Sequence, residues 1–482
     1  MKQNEFDVVV VGSGAGGGVI AGELAQCGRE VLLLEVGDHH TAESFRRWEV
    51  KATLDLFWPM RFAPLPDGDV LALLSGRCVG GTTTINTKVG LRAHARDVAK
   101  WHPATGLTNN EGEPFAVAEL EPYYTRVEDL LGVRERSDWE KCVYTAQAGF
   151  RALGTDLEPV HSYTDANCMG YGSCLQGCPT NAGKSTMNTY IAKALGSTPL
   201  DLRTGARVER VLVEDAGAGA RAVGVEYADA AGNWHTVRAR FVVVAAGALN
   251  TPQLLRRSGL GNRSIGRHLG LHPLRLVYGL FDKPQDAHRV YPISAHCMKF
   301  RHDEDGGFVI EASTVMDPIA FATTIRDENG PLWGPQLVEA LRTYRHWNGL
   351  LAMVNDENNA SVIVDADGRE RFEVDFQPRE RERLAAAMRF SREVLEAAGA
   401  KKVCWTGVIS THVQGSCRMG DDPMRSVVDR NCESHEVKGL FVGDASLVPR
   451  TLSVNPSLTV MALATRLAEH LEMAMSGELA IA

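Results

Sequence analysis

The 482-residue sequence contains no long hydrophobic run, no excess of basic residues and no recognisable leader segment. No apolar stretch approaches the ~20 residues that a bilayer-spanning helix needs, so we predict no membrane span. Lysine and arginine total 51 against 60 aspartates and glutamates, and the net charge of −9 argues against nucleic acid as a partner. Because no basic segment or small-residue cleavage site follows Met1, we expect a cytoplasmic location.

The ten cysteines favour free thiols or ligands over disulfide bridges in a chain with this expected location. Three of them cluster at Cys168, Cys174 and Cys178, and their C-x3-C-P ending is similar to iron–sulfur ligation. Three thiols are fewer than the usual four ligands. Free thiols on a glycine-rich loop are therefore the default interpretation and we predict no metal site, while a cluster stays open as an alternative.

The chain is too long for one simple core and predicts two or three intergrown units. Near the N-terminus, residues 7–11 form an apolar run of the kind that a parallel strand buried on both faces requires. A glycine-rich turn follows, then a predicted helix over 19–27 and a second buried strand over 30–35. This order predicts an opening βαβ unit.

The turn carries the pattern Gly12-x-Gly14-x-x-Gly17 between a strand and a helix. Its glycines suit a tight turn, a close approach of pyrophosphate to the backbone, and close packing of helix on strand. Glu35 lies at the end of the second strand, where an acidic side chain accepts from a ribose hydroxyl. The pattern predicts a dinucleotide cofactor, although it does not by itself distinguish NAD from FAD.

Two other segments have residue types suited to binding a ligand or to proton transfer. Gly80-Gly81, followed by three threonines and Asn86, suits a second close approach to a bulky ligand, although a flexible loop has the same composition. Near the C-terminus, His412 is suited to proton transfer, but a lone histidine is more commonly a loop residue. Asn455 stands before Pro456, the arrangement of an N-cap with proline at the first position of a helix predicted over 456–475.

Five blocks in this order resemble the glucose–methanol–choline (GMC) oxidoreductase family. They are the N-terminal fingerprint with Glu35, and residues 80–86, 245–255, 265–273 and 411–459. The blocks extend from Gly12 to Thr459, whereas the segments expected to face a substrate match far less. The resemblance implies FAD in an extended pose, with contacts from residues at the matching positions: Gly12, Ser13, Gly14, Gly17, Glu35, Gly80, Gly81, Thr82, Asn86, Val208, Asp444, Ala445, Pro456 and Thr459.

The same resemblance implies oxidation of an alcohol to an aldehyde or ketone by hydride transfer to flavin N5. His412 would act as the base or proton relay, with Asn455 as its partner. Some family members tether the flavin through a histidine at the position of Ile85, which cannot form such a bond, so we predict non-covalent FAD. We interpret His272, which precedes Pro273 in the fourth block, as structural.

The expected fold is α/β, or α+β overall, with a Rossmann-like FAD-binding domain of discontinuous segments. That domain is predicted over 1–97, 185–273 and 405–482, and a substrate or cap domain on an antiparallel sheet over 98–184 and 274–404. The expected substrate is a small alcohol such as a sugar, amino sugar, polyol or natural-product alcohol. The electron acceptor, O2 or another, stays open.

Other functions remain open at this point. They are a dehydrogenase that passes electrons through an iron–sulfur cluster, a lyase with a structural FAD, a nicotinamide dehydrogenase, and a binding protein without turnover. The presence of both His412 and Asn455 argues against the last of these.

Overall fold

A computed structural model describes residues 5–65, 68–215, 219–312, 314–365 and 370–477, and over them the chain has the expected mixed α/β fold. The strands are β1 (Glu5–Val11), β2 (Val31–Leu34), β3 (Arg61–Pro64), β4 (Val70–Leu73), β5 (Arg134–Arg136), β6 (Glu158–Ser162), β7 (Leu200–Arg203), β8 (Arg207–Asp215), β9 (Ala220–Ala228), β10 (Trp234–Val244), β11 (Leu274–Leu280), β12 (Ala295–Cys297), β13 (Phe308–Ala312), β14 (Arg326–Asp327), β15 (Gly330–Pro331), β16 (Trp347–Val354), β17 (Ser361–Val364), β18 (Glu370–Glu373), β19 (Lys402–Trp405), β20 (Val408–Ser410) and β21 (Leu440–Val442).

The α-helices are α1 (Gly17–Gln26), α2 (Glu49–Leu56), α3 (Ala95–Val98), α4 (Trp101–Thr105), α5 (Glu121–Leu131), α6 (Lys141–Ala152), α7 (Ala192–Leu195), α8 (Thr251–Arg257), α9 (Pro318–Thr324), α10 (Gly334–Arg342), α11 (Pro378–Ala397) and α12 (Ser457–Ser476). Short 3-10 helices include Gly81–Thr83 and Ala445–Leu447. Among the described residues, no helix is both long and apolar enough to cross a bilayer.

The first sheet holds the predicted βαβ unit. Within the described residues it has seven strands in the order β7-β2-β1-β10-β9-β8, with β21 beside β10. Its centre is parallel, and Val10 of β1 lies between Leu33 of β2 and Val243 of β10. Strands β8, β9 and β10 are antiparallel neighbours that extend this sheet on one side.

The sequence of β10 explains why this strand pairs with both the antiparallel and the parallel part of the sheet. Its first half is mostly exposed, with Val237 buried, and pairs antiparallel with β9. Its second half, ending at Val244, is continuously buried and pairs in parallel with β1 and β21. The carboxyl ends of β1, β10 and β21 therefore meet at one edge of the sheet.

Helices α1 and α12 pack together beside this sheet, which brings an N-terminal and a C-terminal segment of the chain into contact. A Cβ atom on Gly16 would lie 1.7 Å from the carbonyl oxygen of Gly443, which follows β21. Only glycine permits that approach, so the N-terminal turn and the segment after β21 form one wall.

The second sheet contains twelve strands of the described residues and is mostly antiparallel. At its centre β11 pairs with β16 and β19, and α11 packs against it. Strands β3 and β4 reach this sheet through β20, whose Ile409 pairs with Ala72 of β4 and with Leu274 of β11. The large sheet thus includes strands from the predicted FAD segments, and the predicted domain boundaries stay predictions.

Candidate active site

The turn between β1 and α1 opens into a cavity of about 460 Å³, a size typical of ligand sites. No atom would lie within 4 Å of a Cβ atom on Gly14, so this backbone faces open space at the start of α1. The first N–H groups of a helix are unpaired and carry partial positive charge, which suits a phosphate. Gly14 and the helix start therefore provide a cradle for an anionic ligand.

Glu35 lies on the wall of the same cavity at the carboxyl end of β2. The backbone N–H and the hydroxyl of Ser13 both donate to its Oε2, at 3.0 and 2.6 Å, and Gly37 N–H donates to Oε1 at 2.9 Å. Burial raises the pKa of Glu35, while these three donors oppose the rise. The carboxylate is held rigidly with remaining acceptor capacity, as recognition of a ribose hydroxyl requires.

Most of the predicted cofactor and catalytic residues come together on the lining of this cavity. The lining includes Gly12, Ser13, Gly14, Glu35, Gly81, Thr82, Asn86, Val208, His412, Asp444, Ala445, Asn455 and Pro456. These residues come from N-terminal, C-terminal and intervening segments, so the cavity assembles only when distant parts of the chain fold together.

Three predicted cofactor residues lie just behind the lining. Gly17 packs against Gly12, whose carbonyl oxygen would lie 1.9 Å from a Cβ atom at Gly17. Gly80 donates its N–H to the Ser13 hydroxyl at 2.9 Å. The hydroxyl of Thr459 is fully buried and hydrogen-bonds with that of Tyr124 at 2.8 Å. These residues support the wall, and direct contact with a cofactor stays a prediction for them.

Asp444 is oriented by protein donors. Gly247 N–H and the Thr251 hydroxyl donate to its Oδ2, and Ser446 N–H donates to Oδ1 at 2.7 Å, which caps the 3-10 helix Ala445–Leu447. Burial raises the pKa of this carboxyl group. Asp444 thereby ties the ends of β10 and β21 together beside the helix start of α1.

The segment after Gly81 supplies another wall of the cavity. Asn86 donates from Nδ2 to the Tyr163 hydroxyl at 2.6 Å, which fixes its amide. Ile85 is buried and also lines the cavity, so an aliphatic side chain stands where a tethering histidine would be needed.

His412 and Asn455 meet on the cavity wall although 43 residues separate them. His412 Nε2 lies 3.4 Å from Asn455 Nδ2. Burial lowers the pKa of His412 to about 4, so the imidazole is neutral near pH 7 and can take up a proton. The pair has the composition of a proton-transfer site.

The expectation that Asn455 caps a helix is wrong. Helix α12 begins at Ser457, Pro456 occupies the capping position, and no side-chain capping hydrogen bond forms there. The amide is instead directed toward His412, and its Oδ1 is buried without a hydrogen-bond partner among the described residues. A cap would need Asn455 one position closer to the helix.

Glu311 is a site residue that sequence reasoning missed. It lies on β13, lines the cavity and is 1% exposed, and neither carboxylate oxygen forms a well-oriented hydrogen bond within the described chain. Burial raises its pKa to about 7, with a smaller opposing effect of the nearby Asn455 amide. The available signal was a single acidic residue inside the apolar strand Phe308–Ala312, because unpaired carboxylates are rarely buried.

The cysteines do not build a metal centre in this structure. All ten are free, and within the described residues no three His, Cys, Asp or Glu side chains converge to hold a metal ion. Cys178 Sγ accepts from Gly183 N–H at 3.2 Å, and burial raises the pKa of Cys174 to about 12. The arrangement does not fit an iron–sulfur cluster.

Comparison with known proteins supplies an independent line of evidence. A family model described as GMC oxidoreductase matches residues 6–274, and a second with the same description matches residues 360–464. Long-chain-alcohol oxidase FAO4B of Arabidopsis thaliana is 30% identical over 95% of this chain, which spans 66% of that oxidase. The 2-methyl-1,2-propanediol dehydrogenase of Mycolicibacterium austroafricanum is 27% identical, with 98% of this chain and 96% of that enzyme covered.

Solved structures share the fold over nearly the whole chain. Pyridoxine 4-oxidase from Mesorbium loti superposes with a TM-score of 0.74 at 21% identity, covering 96% of this chain and 99% of that one. Formate oxidase of Aspergillus oryzae superposes with a TM-score of 0.73 at 15% identity, covering 99% and 100%. At these identities the likeness concerns the fold alone.

Proposed function

This chain belongs to the GMC oxidoreductase family, and from that premise we propose that it binds FAD and oxidises an alcohol to an aldehyde or ketone. The observation that carries the proposal is one cavity whose wall holds the glycine turn, Glu35 and the His412–Asn455 pair. Such an oxidation needs a dinucleotide-binding site and a proton-transfer pair, and this cavity holds candidates for both.

The residues of the cavity fit FAD. The open backbone at Gly14 and the start of α1 would hold the pyrophosphate, and Glu35 the adenosine ribose. Val208 would offer backbone groups to the adenine, and Asn455 and Pro456 would border the flavin ring. Because Ile85 cannot form a covalent link, FAD is held non-covalently at that site.

Bound FAD would supply the hydride acceptor for the oxidation. His412 removes the hydroxyl proton of the substrate, since its Nε2 is neutral and faces the cavity. Asn455 orients this imidazole and offers its amide to the substrate oxygen.

The lining near the pair favours an alcohol with an apolar body. Apart from Glu311 and Arg61, the residues that the strands of the large sheet contribute to the wall are Leu274, Leu276, Leu351 and Ile409. The names of two relatives, an oxidase of long-chain alcohols and a dehydrogenase of a branched diol, are consistent with such a substrate. A free sugar would leave many hydroxyl groups without partners there.

Anaerobic stopped-flow reduction of the purified yellow protein by a panel of alcohols tests this function. We expect loss of the flavin absorbance with at least one apolar alcohol, and re-oxidation on admission of air would identify an oxidase. A flavin that no alcohol reduces would contradict the proposal and leave a lyase with a structural FAD. A colourless preparation that cannot be reconstituted with FAD would contradict it as well.

His412→Ala tests the assigned base. The variant should retain bound FAD and lose on the order of 10²–10⁴ in the rate of flavin reduction. His161→Ala, on the exposed surface of β6, is the matched control and should reduce at the wild-type rate. Equal reduction rates in the two variants would remove His412 from the mechanism.

A further inference from the structure

A second histidine lies directly behind His412. His272 is completely buried and does not line the cavity, and its Nδ1 lies 3.3 Å from Nδ1 of His412. The two ring centroids are 5.3 Å apart with a tilt of 42° between the planes. We propose that His272 is a positioning residue that holds His412 in the tautomer whose unprotonated Nε2 faces the cavity.

The donor and acceptor roles of Asn455, His412 and His272, which contact one another in that order, determine this tautomer. An asparagine amide nitrogen only donates, so His412 Nε2, 3.4 Å from Asn455 Nδ2, is the acceptor and carries no proton. A neutral imidazole then has its proton on Nδ1, which points at His272 Nδ1. His272 must accept there, and its own proton lies on Nε2.

The environment of His272 agrees with that assignment. Its Nε2 is buried and has no hydrogen-bond partner among the described residues, so the only polar contact of the ring is the one with His412. Burial lowers the pKa of His272 well below the ordinary value, and His412 lowers it further. A neutral His272 can accept a hydrogen bond, whereas a charged one would repel the proton that His412 takes up.

The backbone is strained to keep the ring in place. His272 has φ of +50°, in the left-handed region that residues other than glycine rarely adopt. Asp356 accepts the backbone N–H of the preceding residue, Leu271, at 2.5 Å and thereby holds this stretch of backbone. A ring needed only to fill space would not require a conformation that side chains disfavour.

This inference rests on the proposed function, since it concerns the base of that oxidation. His272→Asn and His272→Leu are a matched pair, because both side chains branch at Cγ and have nearly the same shape. Asparagine places an acceptor oxygen where the histidine has Nδ1 and tolerates positive φ, whereas leucine offers no acceptor. The rate of flavin reduction should fall on the order of 10–100-fold in the leucine variant, with KM nearly unchanged, and largely recover in the asparagine variant.

A spectroscopic measurement on the same holoenzymes reads the tautomer directly. In 15N NMR of histidine-labelled protein, with His412 identified by its loss in His412→Ala, the wild-type ring should be protonated at Nδ1. The leucine variant leaves Nδ1 without an acceptor and should shift that proton to Nε2, with the Asn455 amide turned so that its unpaired Oδ1 accepts it. Flavin content and thermal midpoint report separately on whether each variant is folded.

The outcomes separate this inference from the proposed function. If His412→Ala abolishes reduction but His272→Leu reduces at the wild-type rate, the function stands and the positioning role is overturned. A wild-type His412 protonated at Nε2, or equal losses in the leucine and asparagine variants, overturns it as well. Full reduction in His412→Ala contradicts the assignment of the base itself.

Discussion

Glu311 provides a quantitative test of the cavity, because it is a buried carboxyl group without an ion-pair partner among the described residues. Its pKa rises from 4.5 to about 7 on folding, and desolvation is the main cause. Each unit of pKa difference between folded and unfolded states corresponds to about 1.4 kcal/mol. The ionised form is therefore penalised by on the order of 3 kcal/mol in the folded protein.

The sign of the pH dependence follows from the direction of the shift. Below pH ~4.5 Glu311 is protonated in both the folded and the unfolded protein, and burial of the neutral acid carries no such penalty. Between pH 4.5 and about 7 the unfolded chain ionises while the folded chain keeps its proton. The free energy of unfolding thus falls with rising pH across this window and levels off above it.

Glu311→Gln removes the titration with little change of shape. Its free energy of unfolding, relative to wild type, should rise by on the order of 3 kcal/mol between pH 4 and pH 8. Urea titrations of both FAD-saturated proteins at four pH values would measure this difference. Any effect of the glutamine amide on stability that does not depend on pH cancels when the values at pH 4 and pH 8 are compared.

Glu472→Gln is the control of opposite sign. The Arg29 guanidinium donates to Glu472 and lowers the pKa of its carboxyl group, so the carboxylate stabilises the fold above its unfolded pKa. That variant should be less stable than wild type at pH 8, and the difference should vanish on acidification. If Glu311→Gln showed the same difference from wild type at pH 4 and pH 8, the desolvation argument would be refuted.

Three other substitutions and one treatment test the cofactor wall. Gly14→Ala should fold normally yet bind FAD more weakly, since its Cβ atom would enter the open cavity. Gly16→Ala should have a lower thermal midpoint, because its Cβ atom would lie 1.7 Å from a carbonyl oxygen. Equal thermal midpoints in the two variants would contradict this difference. Acid precipitation should release the flavin into the supernatant because Ile85 cannot form a link, and a yellow pellet would be evidence of another tether. Asp444→Ala leaves three donors without an acceptor and should cost about 1–3 kcal/mol for each buried one, measured by urea unfolding, and an unchanged midpoint would contradict its structural role.

Local sequence determined the cofactor half of this protein. The apolar run before Gly12, the glycine spacing and Glu35 predicted a βαβ unit and a dinucleotide site, and both the strand and the open turn are present. These features depend on neighbours along the chain, because turn chemistry and strand burial are local properties. For the same reason the helix predicted over 456–475 lies within one residue of α12 at each end.

Tertiary structure alone decided the composition of the catalytic wall. His272 and His412 are 140 residues apart and come together because β11 and β20 pair at Leu274 and Ile409, which lie two and three residues from them in the chain. Glu311 reaches the cavity through the register of β13, and Asn455 turns to His412 instead of capping α12. A sequence states which side chains exist, but sheet register and helix ends decide which of them share a cavity, and burial then sets their protonation.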